Sequence, residues 1–257
     1  MKLELNPEIV STYKNLSQRA RVLTETWGKE NLYCLACPSD NLKPTPTGKK
    51  VVDFNCPNCG ESYQLKSKSQ PFGKIVANSA YKPKIEAIRA GTIPNFLFLR
   101  YDSKVLKVLD LFVVPKHFMS ESMVERRKRL SKHAKRHGWE GSNILLENLP
   151  MDARIQIVEN GYQVPKDTVR NSWNQFLFLR EQSVHSRGWL ADVLACVRQL
   201  DKEMFTLADV YTFGIQLAKL HPTNKHIRPK IRQQLQVLRD YGIVEFLGKG
   251  TYKIKKL

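Results

Sequence analysis

The order of apolar and polar positions divides the chain into regions of different period. After Asn6-Pro7, residues Ile9, Val10, Tyr13, Leu16, Ala20 and Leu23 recur at spacings of three and four. That spacing predicts an amphipathic helix from Glu8 to Trp27. From Lys50 the pattern becomes strand-like: Val51-Val52-Asp53-Phe54, then Ser62 to Lys68, Phe96 to Tyr101, Val108 to Val114 and Arg154 to Val158. A helix is predicted from Ser79 to Ala90, which makes the first part a mixed α/β core. The stretch Glu181 to Arg187 is polar and reads as a loop, so a domain boundary is placed near Ser183. The expected domains are residues 1–182 and 183–257.

Beyond that boundary the pattern is helical. A first helix from Ser186 carries Trp189, Val193, Leu194 and Val197, with Cys196 as a small buried residue on its apolar face. Thr206 is the expected N-cap of a second helix in Phe205-Thr206-Leu207-Ala208-Asp209. A third follows His221-Pro222, with Ile227, Ile231, Leu235 and Leu238 as its inward stripe and Gln234 among the residues on its other faces. A hairpin from Ile243 to Ile254 with a glycine-containing basic tip completes a winged helix. Its own apolar stripe predicts a small independent core.

Charge suggests the partner. Lys and Arg number 42 against 24 Asp and Glu, a formal net charge of +18 on 257 residues, and such a field favours a polyanion, above all nucleic acid. The winged-helix region alone has 13 basic against 6 acidic residues. No apolar run reaches the roughly 18 residues that a membrane span requires, and MKLELNPEIV does not resemble a signal peptide. A cytoplasmic chain with no membrane partner, monomeric in solution, is the expectation.

Four of the five cysteines form two pairs, Cys34-Leu-Ala-Cys37 and Cys56-Pro-Asn-Cys59, with 18 residues between them. Each pair can turn two thiolates toward one ion, and two pairs complete a tetrahedral structural zinc site. Four thiolates leave no position for water, so catalytic zinc is excluded. Gly60 supplies the permissive backbone of the second knuckle.

Apolar segments flank that second knuckle, which predicts a β-hairpin clamped by metal. Asp53 stands on its first strand, and Gln64 and Lys66, two apart, share one face of the second. Parity turns Glu61 to the other face with Tyr63 and Leu65. A carboxylate, an amide oxygen and an ammonium in one place suit phosphodiester cleavage. Asp53 and Gln64 would hold Mg²⁺ against a phosphate oxygen, and Lys66 would orient or deprotonate water.

The run Val-Asp53-Phe-x-Cys56-x-x-Cys59-x-Glu61-x-x-x-Leu65-Lys66-Ser67-Lys68 resembles the catalytic hairpin of the DpnI-type, methyl-directed restriction endonucleases of the PD-(D/E)xK superfamily. The likeness extends through Thr12-Tyr13-Lys14, Ser17-Gln18-x-Ala20-Arg21, Pro94-Asn95-Phe96-x-Phe98-Leu99, Gly138-Trp139-x-Gly141 and Ile231-Arg232-Gln233-Gln234-Leu235-Gln236, in order along nearly the whole chain. It implies a PD-(D/E)xK core with an embedded four-cysteine zinc site and a C-terminal winged helix, both domains reading 5′-GATC that contains N6-methyladenine. Two departures stand out. Val52 replaces the superfamily's Pro, which is harmless, and Gln64 replaces the family's metal-binding Glu, which weakens Mg²⁺ binding by removing a charge. The enzyme is still read as active.

Glu125 to His137 holds seven basic residues and one acid. Arg126, Arg127, Lys128 and Arg136 read as a loop lying along phosphates, ending in an aromatic wedge at Trp139 that the flanking glycines leave exposed. By resemblance, Trp139 matches the tryptophan that packs on the two adenine methyl groups. In the third helix of the winged domain, Lys225, His226, Arg228, Lys230, Arg232 and Gln233 are the expected major-groove readers, with Lys249 at the wing tip. Two rival functions are a non-cleaving, zinc-containing regulator or methyl-reader, and a methyl-blind or Mrr-like nuclease.

Overall fold

The computed structural model describes residues 1–46 and 52–255. Lys50 and Val51, the start of the first expected strand, lie outside them.

The first helix is two elements. Asn6 accepts a hydrogen bond from the Glu8 N–H and caps a single 3-10 turn, Pro7–Val10. The chain then breaks, and Asn15 caps α1, Leu16–Asn31, by accepting from the Gln18 N–H. Periodicity alone joined them; the second asparagine starts a new helix because its side chain replaces a backbone acceptor. Gly28 lets α1 approach the sheet, since a Cβ there would lie 2.8 Å from the Phe54 ring.

Next in order come β1 (Lys43–Pro44), β2 (Phe54–Asn55), β3 (Ser62–Lys68), β4 (Ile75–Ala80), α2 (Tyr81–Arg89), β5 (Asn95–Asp102), β6 (Lys107–Val114), β7 (Val124–Arg126), β8 (Gly141–Leu145), β9 (Ile155–Glu159), β10 (Tyr162–Gln163) and α3 (Lys166–Asn174). A seven-stranded mixed sheet runs β1-β2-β3-β5-β6-β9-β10, with β3 and β5 parallel and its other neighbours antiparallel. Both faces are covered. Leu97 and Leu99 point into one core with Leu23, Trp27 and Trp173, while Phe96 and Phe98 point into the other with Ile85 and Ile88. Burial on both sides is why β5 reads as a continuous apolar run.

A second sheet, β4-β8-β7, is entirely antiparallel. No sequence pattern announced it: β4 and β8 carry few large apolar residues, and their pairing spans more than sixty positions of chain.

The last region comprises α4 (Val184–Gln199), β11 (Met204–Thr206), α5 (Leu207–Tyr211), α6 (Gly214–Leu220), α7 (Ile227–Asp240), β12 (Val244–Gly248) and β13 (Thr251–Ile254), with a small sheet ordered β11-β13-β12. This is the helical, winged architecture expected, with two corrections. The supposed loop through Arg187 is already helical from Val184, because the Ser183 side chain accepts from the Ser186 N–H. The expected second helix is divided into α5 and α6; Thr206 does cap α5, in a reciprocal box with Asp209.

The apolar interior is shared across the chain. In α4, Trp189, Leu190, Ala191, Val193, Leu194, Cys196 and Val197 are all buried, in one core with Phe118, Met123 and Phe176. A helix that is apolar all round needs cover on both sides, so the expectation of a separate winged-helix core fails. Arg198 donates two hydrogen bonds to Asp152, at 2.8 and 2.5 Å, and His221 lies 2.8 Å from buried Asp192, which accepts from Ser122. No described helix is long and apolar enough to cross a membrane.

Candidate functional site

The second knuckle is a tight turn between β2 and β3. Cys56 N–H donates to the Glu61 carbonyl at 2.8 Å, and Gly60 takes a φ of +74°, which glycine adopts without strain. The first knuckle follows α1, where Cys34 N–H donates to the Ser39 carbonyl. All four sulfurs lie within 4.8 Å of one another, with Cys34 to Cys59 at 3.6 Å and Cys37 to Cys56 at 3.5 Å. Four sulfurs held about 2.3 Å from one tetrahedral ion stand about 3.8 Å apart. The cluster therefore fits a four-thiolate zinc site, and none of these cysteines is in a disulfide.

Beside the knuckle is a cleft of about 990 Å³, lined by Arg21 and Glu25 of α1, Asp53, and Gln64, Lys66 and Lys68 of β3. Asp53 sits immediately before β2 rather than within it. Its N–H donates to the Tyr63 carbonyl, and its Oδ2 accepts from the Leu65 N–H at 2.7 Å. That last bond fixes the carboxylate between Gln64 and Lys66. The three expected site residues are thus brought together.

Burial dominates their electrostatics. It pushes the Asp53 carboxyl above its ordinary range, against the Leu65 N–H and the charges of Lys66 and Arg21, and it lowers the Lys66 ammonium, against the pull of Asp53. Glu25 is raised by burial and by the nearby Asp53 charge, opposed by Arg21, with which it pairs at 3.0 Å. Gln64 is 7% exposed, and its Oε1 is buried without a hydrogen-bond partner among the described residues. An orphaned carbonyl oxygen and a carboxylate with a free oxygen suit a hard divalent cation. Sequence reasoning missed Glu25 and Arg21, which sit in an ordinary-looking helical face.

Glu61 does turn away. It accepts from Asn95 at 2.8 Å and pairs with Lys116 and Arg180, each at 3.1 Å.

A family model described as "DpnI: Dam-replacing family" matches residues 1–182, and one described as "Dam-replacing HTH domain" matches residues 185–254. The chain belongs to the Dam-replacing, DpnI-type family. Membership implies a methylation-dependent restriction nuclease that carries a helix-turn-helix domain for DNA.

The surfaces that this Dam-replacing protein offers to DNA differ in part from expectation. The basic stretch is the tip of a hairpin that extends β7 and β8, through bonds from Arg127 N–H to the Gly141 carbonyl and from Leu130 N–H to the Trp139 carbonyl. Trp139 is half-buried and not an exposed wedge. Gly141 has no side chain, so the indole folds back onto it, with ring atoms 2.8 Å from where a Cβ would be. Arg126 is exposed but bound to Glu140 through two hydrogen bonds, and Glu140 also accepts from Arg129; the two arginines hold the Glu140 carboxyl down at about 2. Arg127, Lys128 and Arg136 are exposed and lie along the same tip.

On α7, Lys225, His226, Arg228, Arg232 and Gln233 are exposed at or near its start. Lys230 is half-buried and donates to Gln233 at 2.7 Å, and Arg228 stacks on Tyr211 at 5.2 Å. Gln234, expected on an outer face, is 4% exposed and points inward beside Ile231 and Leu235. Lys249 is exposed at the wing tip between Gly248 and Gly250, all three at positive φ.

Proposed function

We propose that the protein is a Mg²⁺-dependent type II restriction endonuclease that cuts double-stranded DNA at 5′-GATC containing N6-methyladenine, with residues 1–182 as nuclease and 183–257 as a second reader. The carrying observation is the convergence of Asp53, the orphaned Gln64 carbonyl and Lys66 in one basic-walled cleft. Asp53 and Gln64 would hold Mg²⁺, which supplies charge at the scissile phosphate and a more acidic water. Lys66, half-buried beside Asp53, orients the attacking water as a hydrogen-bond donor and carries positive charge next to the scissile phosphate. The Asp53 bond to the Leu65 N–H sets the distance between carboxylate and lysine before DNA arrives, so little reorganisation accompanies the reaction. Zinc, bound by Cys34, Cys37, Cys56 and Cys59, ties the turn of this hairpin to the chain after α1.

Gln64 supports one rival, a methyl-reader that no longer cuts, because the site lacks a charge its relatives carry. Restoring it separates the two. Gln64→Glu is expected to lower the Mg²⁺ concentration for half-maximal cleavage, measured by titration of the full chain; an unchanged requirement removes Gln64 from the ligand set.

Trp139, half-buried against Gly141, reads with its remaining exposed edge from the arm of the β7–β8 hairpin, and Arg232 and Gln233 read from α7. With Ca²⁺ in place of Mg²⁺, the full chain should bind methylated GATC duplex more tightly than its unmethylated twin. Equal binding contradicts methyl reading. Arg232→Ala or Gln233→Ala should reduce discrimination against scrambled DNA by about 1–3 kcal/mol where the side chain meets a base edge. Lys249→Ala should weaken binding to all sequences alike and reduce its salt dependence, as loss of a phosphate contact does.

A further inference from the structure

One lysine of α2 is buried against the sheet. Lys84 is 4% exposed, and its Nζ is enclosed with no hydrogen-bond partner among the described residues. It lies 4.7 Å from the centre of the Phe96 ring. Phe96 pairs with Gln64 across the parallel β3–β5 ladder, and Phe98 pairs with Lys66, so these four side chains share one face of the sheet. On that face Gln64 Oε1 is a buried acceptor with no donor among the described residues. A donor without an acceptor therefore lies over the ring of Phe96, the residue in register with Gln64, whose carbonyl lacks a donor among the described residues.

A ring face alone does not offset the desolvation of an ammonium group. Burial and the neighbouring Lys66 charge lower Lys84 to about 7. An enclosed ammonium with no acceptor beside the cleft is a candidate for a role beyond packing.

We propose that Lys84 is a positioning residue of the cleavage centre: before metal binds, its ammonium is the donor for the Gln64 side-chain carbonyl, and once that carbonyl turns to Mg²⁺ the ammonium stands as a second positive charge, beside that of Lys66, behind the scissile phosphate. This rests on the nuclease reading above. It also gives the amide at position 64 a physical role. A carboxylate there would pair with Lys84 and absorb its charge, whereas an amide accepts the hydrogen bond and leaves the charge available.

The test uses the full chain. Lys84→Met keeps the length of the stem and removes the charge. Its melting temperature without added Mg²⁺ should rise by about 2–4 °C, since an unpaired buried charge is lost. On a methylated GATC duplex its kcat should fall roughly 10²-fold with KM little changed, the pattern of a group felt in the transition state, and Lys84→Arg should recover part of the rate. Gln64→Glu, measured by melting temperature alone, should stabilise the parent, where Lys84 can pair with it, and destabilise the Lys84→Met chain, where a buried acid is left alone.

A Lys84→Met chain that fails to fold, or melts lower with an unchanged kcat, would make Lys84 a packing residue and overturn the proposal. Equal effects of Gln64→Glu in both backgrounds would overturn the contact. If the parent itself cuts no methylated duplex, the nuclease reading fails and the phosphate role with it, while the melting-temperature cycle still decides the contact.

Discussion

Replacing Lys66 or Asp53 with alanine is expected to abolish cleavage while leaving affinity for methylated DNA nearly unchanged. Both side chains are placed in the cleft by the hairpin: Asp53 by the Leu65 N–H at 2.7 Å, and Lys66 by its position on β3, half-buried beside that carboxylate. Neither lies on the hairpin tip or on α7, where base edges would be met. Loss of a group that acts only on the reacting phosphate lowers kcat, by roughly 10²–10⁴-fold for a proton-handling residue, and leaves binding alone. Single-turnover cleavage and a gel-shift titration on the same duplex separate the two quantities. Retained cleavage in either variant would take the hairpin out of the mechanism.

The second large effect concerns the sulfur cluster. Cys56→Ser should lose zinc and unfold the hairpin rather than merely slow the enzyme. Cys56 belongs to the turn that sets the register of β3 against Asp53, and its partner Cys37 follows α1, so the ion joins segments about twenty residues apart. Structural zinc contributes on the order of 10 kcal/mol to small sites of this kind, comparable to the whole stability of a domain. Zinc content by plasma emission and thermal melting of purified protein check this together. A Cys56→Ser chain with full zinc and parental melting temperature would show that four cysteines do not form the site.

The parts legible in the sequence are those governed by local rules. The C-x-x-C spacings, the alternation in β3 that sets Gln64 and Lys66 on one face, the apolar runs of β5 and β6, and the Thr206 cap each depend on residues a few positions apart. The hairpin placed Asp53 correctly although it falls just outside β2, because antiparallel pairing continues through its N–H to Tyr63. The illegible parts depend on distant partners. The β4-β8-β7 sheet is short and polar, and α4 passes for the first helix of a free-standing module until its second apolar face is seen covered by Phe118 and Met123. Lys84 sits among Lys82, Pro83 and Glu86, a stretch with the look of a solvated helix, and only the packing of α2 on Phe96 shows that it points inward. Trp139 shows the opposite error: flanking glycines suggested exposure, yet the absent side chain of Gly141 is what lets the indole lie down.

These elements converge on one claim, that a single chain both reads adenine methylation and cuts. Plasmid DNA prepared from an adenine-methylating host and from a non-methylating host, incubated with the full-length protein with and without Mg²⁺, tests it directly. The account predicts discrete fragments ending at GATC from methylated plasmid with Mg²⁺, and intact plasmid in the other three reactions. Equal digestion of both plasmids, or no digestion of either at any Mg²⁺ concentration, would contradict it.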